Sequence, residues 1–451
     1  MVVATRTPLL KPESRRAYPL VARGEGIYLF DVDGRRYLDA SSGAVICNIG
    51  HGVREVVDAL AEQAKRVAYV FRTQFTSEPA EQLALRLAQL APGDLTGAFF
   101  TNSGSEATEA ALRMSLQHWR EIGRPEKTLV LSRHMSYHGL TLGALSLSGH
   151  PARRAGLEIL LHDFPRVVPA YCYRCPLGLQ PDSCAVACAD DWERAIVDAG
   201  PENVAAVFAE PVVGAAGGAV PAPPGYLRRL REICDEYEVL FVADEIMTGF
   251  GRTGAWFGCD HEGVVPDILV VGKGMSAGYV PVAGIVVREP ISDAVDAGSG
   301  KTIFGHTYSA FPAGAAACLA VLDYIEEHDL VTAARLRGGE LRAGLEGLAA
   351  RHPIIGDVRG KGLLLGLEVV ANREHRTRFD PSLQVAQRLV DCALERGLIL
   401  YPAGTPPAGD AVLVTPPLTI EPAQVRELVA LLDDALTDLE HDLESDGHSL
   451  T

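Results

Sequence analysis

The chain has 451 residues, 47% of them apolar and 22% charged, enough for more than one packed lobe around a large core. Its formal charge of −17 argues against nucleic acid or an anionic membrane surface as a partner. No apolar stretch reaches the ~20 residues of a membrane helix, and "MVVATRTPLLKPESRR" has no apolar core ahead of its charges; the reading is therefore cytoplasmic, with the nine cysteines kept reduced.

Residues 25–40, "EGIYLFDVDGRRYLDA", read as a hairpin turning at Asp33-Gly34. Residues 53–90 and 104–122 carry helical spacing. Short apolar runs follow at "TLVLS" (128–132), "VAAVFAEP" (204–211), "VLFVADE" (239–245) and "DILVVGK" (267–273), with helical stretches such as 223–237 between some of them. Uninterrupted apolar strands separated by helices predict a parallel sheet buried on both faces. After a helix near 312–327, residues 332–451 form a second α+β unit. Its order is helix, strands within "GDVRGKGLLLGLEVV", helix 382–396, strands around "GLILYP" and "VLVTPPLTI", and a last helix from about 421, with "HDLESDGHSLT" frayed. The predicted architecture is α/β. A large domain (66–325) holds a mainly parallel central sheet, a smaller α+β domain spans 326–451, and the segment 1–65 joins the small domain.

Ligands of an open parallel sheet collect at the carboxyl ends of its strands. Four features fall there. "TNSGSEA" (101–107) is a small-residue loop leading into a helix, whose free amides suit an anion. Glu210 and Asp244 end successive strands, and Lys273, bounded by glycines, ends "DILVVGK". Alone, such a lysine reads as a strand-end side chain reaching solvent. Beside a phosphate-suited loop and a buried Asp, it reads instead as a desolvated amine, nucleophilic toward carbonyls. Pyridoxal phosphate (PLP) meets all three: an aldehyde for the lysine, a phosphate for the loop and a ring nitrogen for the carboxylate.

The block "FVADEIMTGFGRTGAWFGCDHEGVVPDILVVGKGMSAG" resembles the signature of the class III (ω-type) PLP-dependent aminotransferases of fold type I. The shorter blocks "SGAVICNIGHG", "TNSGSEATEAALRM", "SYHG", "AEPVVGAAGG", "GHTYSAFPAGAAA" and "VRGKGLLLGLE" follow the family's order. The resemblance implies that Lys273 bonds the cofactor's aldehyde and then moves the proton between substrate and cofactor, while Asp244 holds the pyridinium. Gly104 and Ser105 would bind the phosphate, with Thr307 reaching the partner subunit's phosphate across a homodimer, which could pair into a dimer of dimers. Tyr137 would cover one ring face and Ile246 the other, and Glu210 would stand on the substrate side. Read from the residues alone, Tyr137 and Ile246 could equally be core, and Glu210 a surface ion pair. The implied reaction is ping-pong transfer of an amino group from an amine or (ω-)amino acid to a 2-oxo acid such as pyruvate or 2-oxoglutarate. The alternative is a PLP-dependent racemase/epimerase, aminomutase, decarboxylase or phospho-lyase on the same lysine and aspartate.

Several departures concern substrate. Met247 stands where many members carry a glutamine, and methionine cannot donate that hydrogen bond. Leu413 and Tyr401 occupy places where relatives put a carboxylate-binding arginine, and Val45 leaves a small pocket wall where amine:pyruvate enzymes have tryptophan. "GFGRTG" (249–254) fits a dinucleotide fingerprint, but five residues separate it from the strand and no helix follows. "AGSGKT" lacks the first P-loop glycine, since position 295 is Val295. Finally, Cys172, Cys175, Cys184 and Cys188 are spaced C-x2-C-x8-C-x3-C; four thiolates could close a structural zinc site, a metal-free loop being the alternative.

Overall fold

The apolar runs at 204–209, 240–244 and 268–271 lie side by side in the middle of a seven-stranded sheet. The structure, a computed structural model, describes residues 8–302, 304–448 and 450; residues 1–7 of the N-terminal segment and 449 and 451 of the tail lie outside them. From one edge the strands are Leu95–Thr101, Ala283–Arg288, Ile268–Val271, Leu240–Asp244, Val204–Ala209, Leu129–Arg133 and Arg166–Val167. The pairs from Ile268–Val271 onward are parallel, with Val242 opposite Ile268 and Leu240 opposite Ala206. Ala283–Arg288 runs antiparallel to both its neighbours, so the sheet is mainly, not wholly, parallel. That strand and Leu95–Thr101 are not among the predicted elements.

Both faces of this sheet are covered, which is why its strands read as continuous apolar runs. Val207, Phe241, Ala243 and Leu269 pack into the larger core with Trp192, Leu227 and Leu230 of the helices Ala187–Ala199 and Tyr226–Glu236. Ala206, Phe208, Val242 and Val270 face the other way, onto Ala107, Ala110, Ala111 and Met114 of the helix Gly104–Glu121. The predicted helical stretch 53–90 is two helices, Arg54–Arg66 and Glu78–Leu90, with irregular chain between.

The C-terminal unit follows the predicted order. Its antiparallel sheet runs Ile355–Lys361, Leu364–Val369, Ala411–Val414, Tyr401–Ala403, beside the helices Leu330–Ala349, Val385–Glu395 and Pro422–Ser445. The last helix continues through His441–Ser445, so the first five residues of the tail expected to fray are helical. The predicted hairpin forms between Tyr28–Asp31 and Arg36–Asp39, with Gly34 at φ 82 in its turn. Arg36–Asp39 also pairs in parallel with Leu398–Ile399, which ties the N-terminal strands to the C-terminal unit. The 325/326 division falls within the last turn of the helix Pro312–Glu327.

Two buried arginines fasten this assembly around the sheet's carboxyl end. Arg359 donates to the carbonyls of Gly217 and Gly218 at 2.6 and 2.8 Å and pairs with Glu368 at 2.5 Å. Arg252, within the "GFGRTG" segment, donates to Pro416 O at 2.6 Å and Asn48 Oδ1 at 2.8 Å. That segment is a turn with no helix of its own, and its arginine serves main-chain carbonyls rather than a nucleotide.

Candidate active site

A cavity of about 320 Å³ opens at the carboxyl end of the large sheet, where Asp244 ends one strand and Lys273 follows two residues after another. Its lining brings together Lys273, Asp244, Glu210, Tyr137, Ile246, Gly104 and Ser105. Seven of the predicted site residues, from five separate segments, therefore share one pocket of the size small-molecule sites have.

Lys273 is held in an unusual backbone. The strand stops at Val271, and Lys273 turns off it at φ 40, in the left-handed region that costs a non-glycine residue about 1–3 kcal/mol. The glycine before it is required by contact: a Cβ on Gly272 would lie 2.8 Å from Ile246 Cδ1. Burial drives the Lys273 ammonium down to about 8; Asp244 and Glu210 oppose the shift, and Arg252 and Arg153 add to it.

Asp244 is buried and has both oxygens engaged. Oδ1 accepts from Ile246 N at 3.1 Å, and Oδ2 lies 2.7 Å from His138 Nδ1. His138, buried behind it, was not singled out from the sequence; its only signal is its place beside Tyr137 in "SYHG". Glu245, the next carboxylate, faces away: it accepts from Gly258 N and Cys259 N at 2.8 Å each and from the Thr248 hydroxyl. Burial pushes its carboxyl up to about 7 despite those bonds. Glu210 accepts from Tyr137 N at 3.4 Å and Gly214 N at 3.3 Å, and burial raises its carboxyl too.

The anion site is built from a helix start. Gly104 and Ser105 open an 18-residue helix whose N-cap, Ser103, accepts from Glu106 N at 3.2 Å. The first amides stay free to meet a negative group, with the helix dipole behind them. The Ser105 hydroxyl accepts from Leu140 N at 3.0 Å, which leaves its own O–H to donate. A Cβ on Gly104 would come 3.2 Å from Ile246 Cδ1, a tight contact that the Ile246 side chain would have to yield to.

Three predicted site residues or groups lie elsewhere or need correction. Thr307 is exposed and lines a separate cleft with Arg72, Phe304 and His306, not the Lys273 cavity. Val45 does not line the cavity either; it is buried with Val212, Leu364 and Leu413, and the wall residue is its neighbour Ile46. The zinc expectation is not supported. Cys172, Cys175, Cys184 and Cys188 surround one small cavity of about 20 Å³, and all four are free thiols. Among the described residues no three of these sulfurs lie within 4.8 Å of one another, whereas tetrahedral ligation at ~2.3 Å needs all four closer than that. Among the described residues the one group at ligand spacing is Asp39, Cys47 and His51, and Asp39 already accepts from Ser41 and Gly43 and meets His51 at 3.2 Å.

The cavity combines a desolvated amine, a buried carboxylate and an anion cradle, the set that sequence reading tied to PLP chemistry. The model of the class III aminotransferases matches residues 10–436, and the chain belongs to that family. It is 46% identical to the uncharacterized aminotransferase YodT of Bacillus subtilis, over 97% of this chain and 99% of that protein. It is 35% identical to the putrescine–pyruvate aminotransferase of Pseudomonas aeruginosa, over 91% of this chain and 89% of that one. Among solved structures, the ω-transaminase of Pseudomonas jessenii in complex with PMP superimposes with a TM-score of 0.91 at 32% identity, covering 98% of each chain. The fold is thus that of the fold type I transaminases, the enzyme is an aminotransferase, and the family's cofactor is PLP.

Proposed function

We propose that the Lys273 cavity binds PLP and carries out ping-pong transamination, from an amine or (ω-)amino acid donor to a 2-oxo acid such as pyruvate. The observation that carries this reading is the convergence of Lys273, Asp244 and the Gly104–Ser105 helix start on one cavity. The residues fit the group: the helix amides and the Ser105 hydroxyl suit its phosphate, Asp244 its ring nitrogen, and Tyr137 and Ile246 its two faces. Bound PLP supplies an aldehyde that condenses with amines and a ring that takes up the electron pair released at the substrate's α-carbon.

In this reading Lys273 holds the cofactor and then carries a proton to and from the substrate carbon. His138 fixes the orientation of Asp244 and Glu210 faces the substrate. Thr307 serves the partner subunit's phosphate site in a homodimer. We further propose a cytoplasmic location; no helix among the described residues is long and apolar enough to cross a membrane. The division into 1–65, 66–325 and 326–451 is proposed with it.

Two measurements follow. Only the neutral amine attacks a carbonyl, and burial lowers Lys273 to about 8. Capture of PLP by cofactor-free protein, followed by its absorbance, is expected to quicken up to roughly tenfold per pH unit below that value and to level off above it. A rate flat from pH 6 to 9 would remove Lys273 from the capturing role. The second measurement separates transamination from racemisation. Holoenzyme given one amine and no acceptor is expected to convert its cofactor stoichiometrically to the pyridoxamine form. Unchanged cofactor, with solvent deuterium entering the α-carbon, would favour a racemase.

A further inference from the structure

A 2-oxo acid carries a carboxylate into the cavity, and that carboxylate requires a cation there or at the rim. The two places where relatives supply an arginine hold Leu413 and Tyr401. In the structure both belong to an apolar cluster with Val212, Ala219, Leu364 and Met247, so that wall offers no positive charge.

The cations around the cavity are few, and most are committed. Lys273 is the nucleophile of the proposed reaction. Arg133 donates to the Glu210 carbonyl at 2.6 Å, and Arg252 is spent on the carbonyls of Leu363 and Pro416 and on Asn48. Arg154 donates to the carbonyls of Leu145, Ser146 and Ser148. Arg153, beside it, is different. Its guanidinium carbon lies 4.7 Å from the centre of the Tyr137 ring, and Tyr137 is a wall of the cavity. Among the described residues Arg153 has neither a side-chain hydrogen bond nor an ion pair, although it is partly buried. The ring contact holds the group through its charge and consumes none of its five N–H donors. A planar guanidinium with free donors is the side chain best matched to a carboxylate, which it binds with two parallel hydrogen bonds. Its charge reaches the chemistry: it adds to the burial that lowers Lys273 and His150 and opposes the burial that raises Tyr137.

We propose that Arg153, held over the ring of Tyr137 at the rim of the cavity, receives the carboxylate of the 2-oxo acid acceptor and so replaces the arginines that positions 401 and 413 lack. The proposal rests on the transaminase reading. It makes Arg153 a specificity-determining residue that acts on acceptors with a carboxylate and is indifferent to acceptors without one.

The test uses the full-length holoenzyme converted to its pyridoxamine form. The return half-reaction is followed with two acceptors: the 2-oxo acid that the wild type prefers, pyruvate or 2-oxoglutarate, and acetaldehyde, which lacks the carboxylate. Arg153→Gln is expected to lower kcat/KM for the 2-oxo acid by about 10- to 100-fold, mainly through KM, the size of a lost charge-assisted hydrogen-bond pair. The value for acetaldehyde is expected to change less than about threefold, and Arg153→Lys to recover part of the lost discrimination. Equal loss with both acceptors would make Arg153 a structural support for Tyr137 and overturn the proposal. So would retention of 2-oxo acid activity in Arg153→Gln. If the wild-type pyridoxamine form reacts with no acceptor, the transaminase reading itself fails, a result distinct from either of these.

Discussion

Replacing Lys273 with alanine is expected to lower turnover by at least ~10⁴-fold, the upper range for a positioned acid–base group, with a further loss from the severed cofactor link. Geometry and environment both require this. Among the described residues Lys273 is the one amine lining the cavity, it is buried, and it sits at φ 40 directly behind a glycine that Ile246 keeps bare. Folding is expected to survive, because alanine removes a buried cation rather than a packing group. Turnover measured at saturating PLP, together with the melting temperature, separates the two effects. Activity within tenfold of wild type, with the fold intact, would assign the chemistry to another residue.

Asp244→Asn is expected to cost about 10²- to 10³-fold in kcat, the scale of removing one preorganised charge or donor from a reacting centre. Asparagine keeps the size of the side chain and an acceptor for Ile246 N. What it removes is the negative charge that would face the pyridine nitrogen. The partnership with His138 at 2.7 Å makes the substitution informative, since the imidazole can still hold an amide in place. A large fall in kcat with little change in melting temperature and in PLP affinity would mark an electronic role. A protein that instead unfolds would mark Asp244 as structural, like its neighbour Glu245, whose oxygens are satisfied by the Gly258 and Cys259 amides and Thr248.

The sheet was legible in the sequence because burial on both faces writes itself as uninterrupted apolar runs, and all four of those runs became strands within two residues of their predicted ends. Leu95–Thr101 and Ala283–Arg288 were not, because "LTGAFFT" and "AGIVVR" carry glycines that obscure a short strand until its neighbours are known. The site was legible where chemistry and spacing coincide: Lys273, Asp244 and the Gly104–Ser105 helix start. It was not legible where a residue acts from behind another. His138 reaches Asp244 across a separation of 106 residues, and Arg153 reaches Tyr137 from a short helix that no periodicity announces. Val45 and Ile46 show the same limit: adjacent positions on an irregular turn differ only in which way the chain points them. The four cysteines had promising spacing and do surround one cavity, yet spacing does not fix sulfur-to-sulfur distances.

The most direct test is reduction of the PLP-loaded protein with borohydride, followed by peptide mass mapping. A single pyridoxyl group on Lys273 is the expected result, absent from Lys273→Ala. An adduct on another lysine, or none at all under conditions in which PLP is bound, would contradict the assignment of this cavity as the cofactor site.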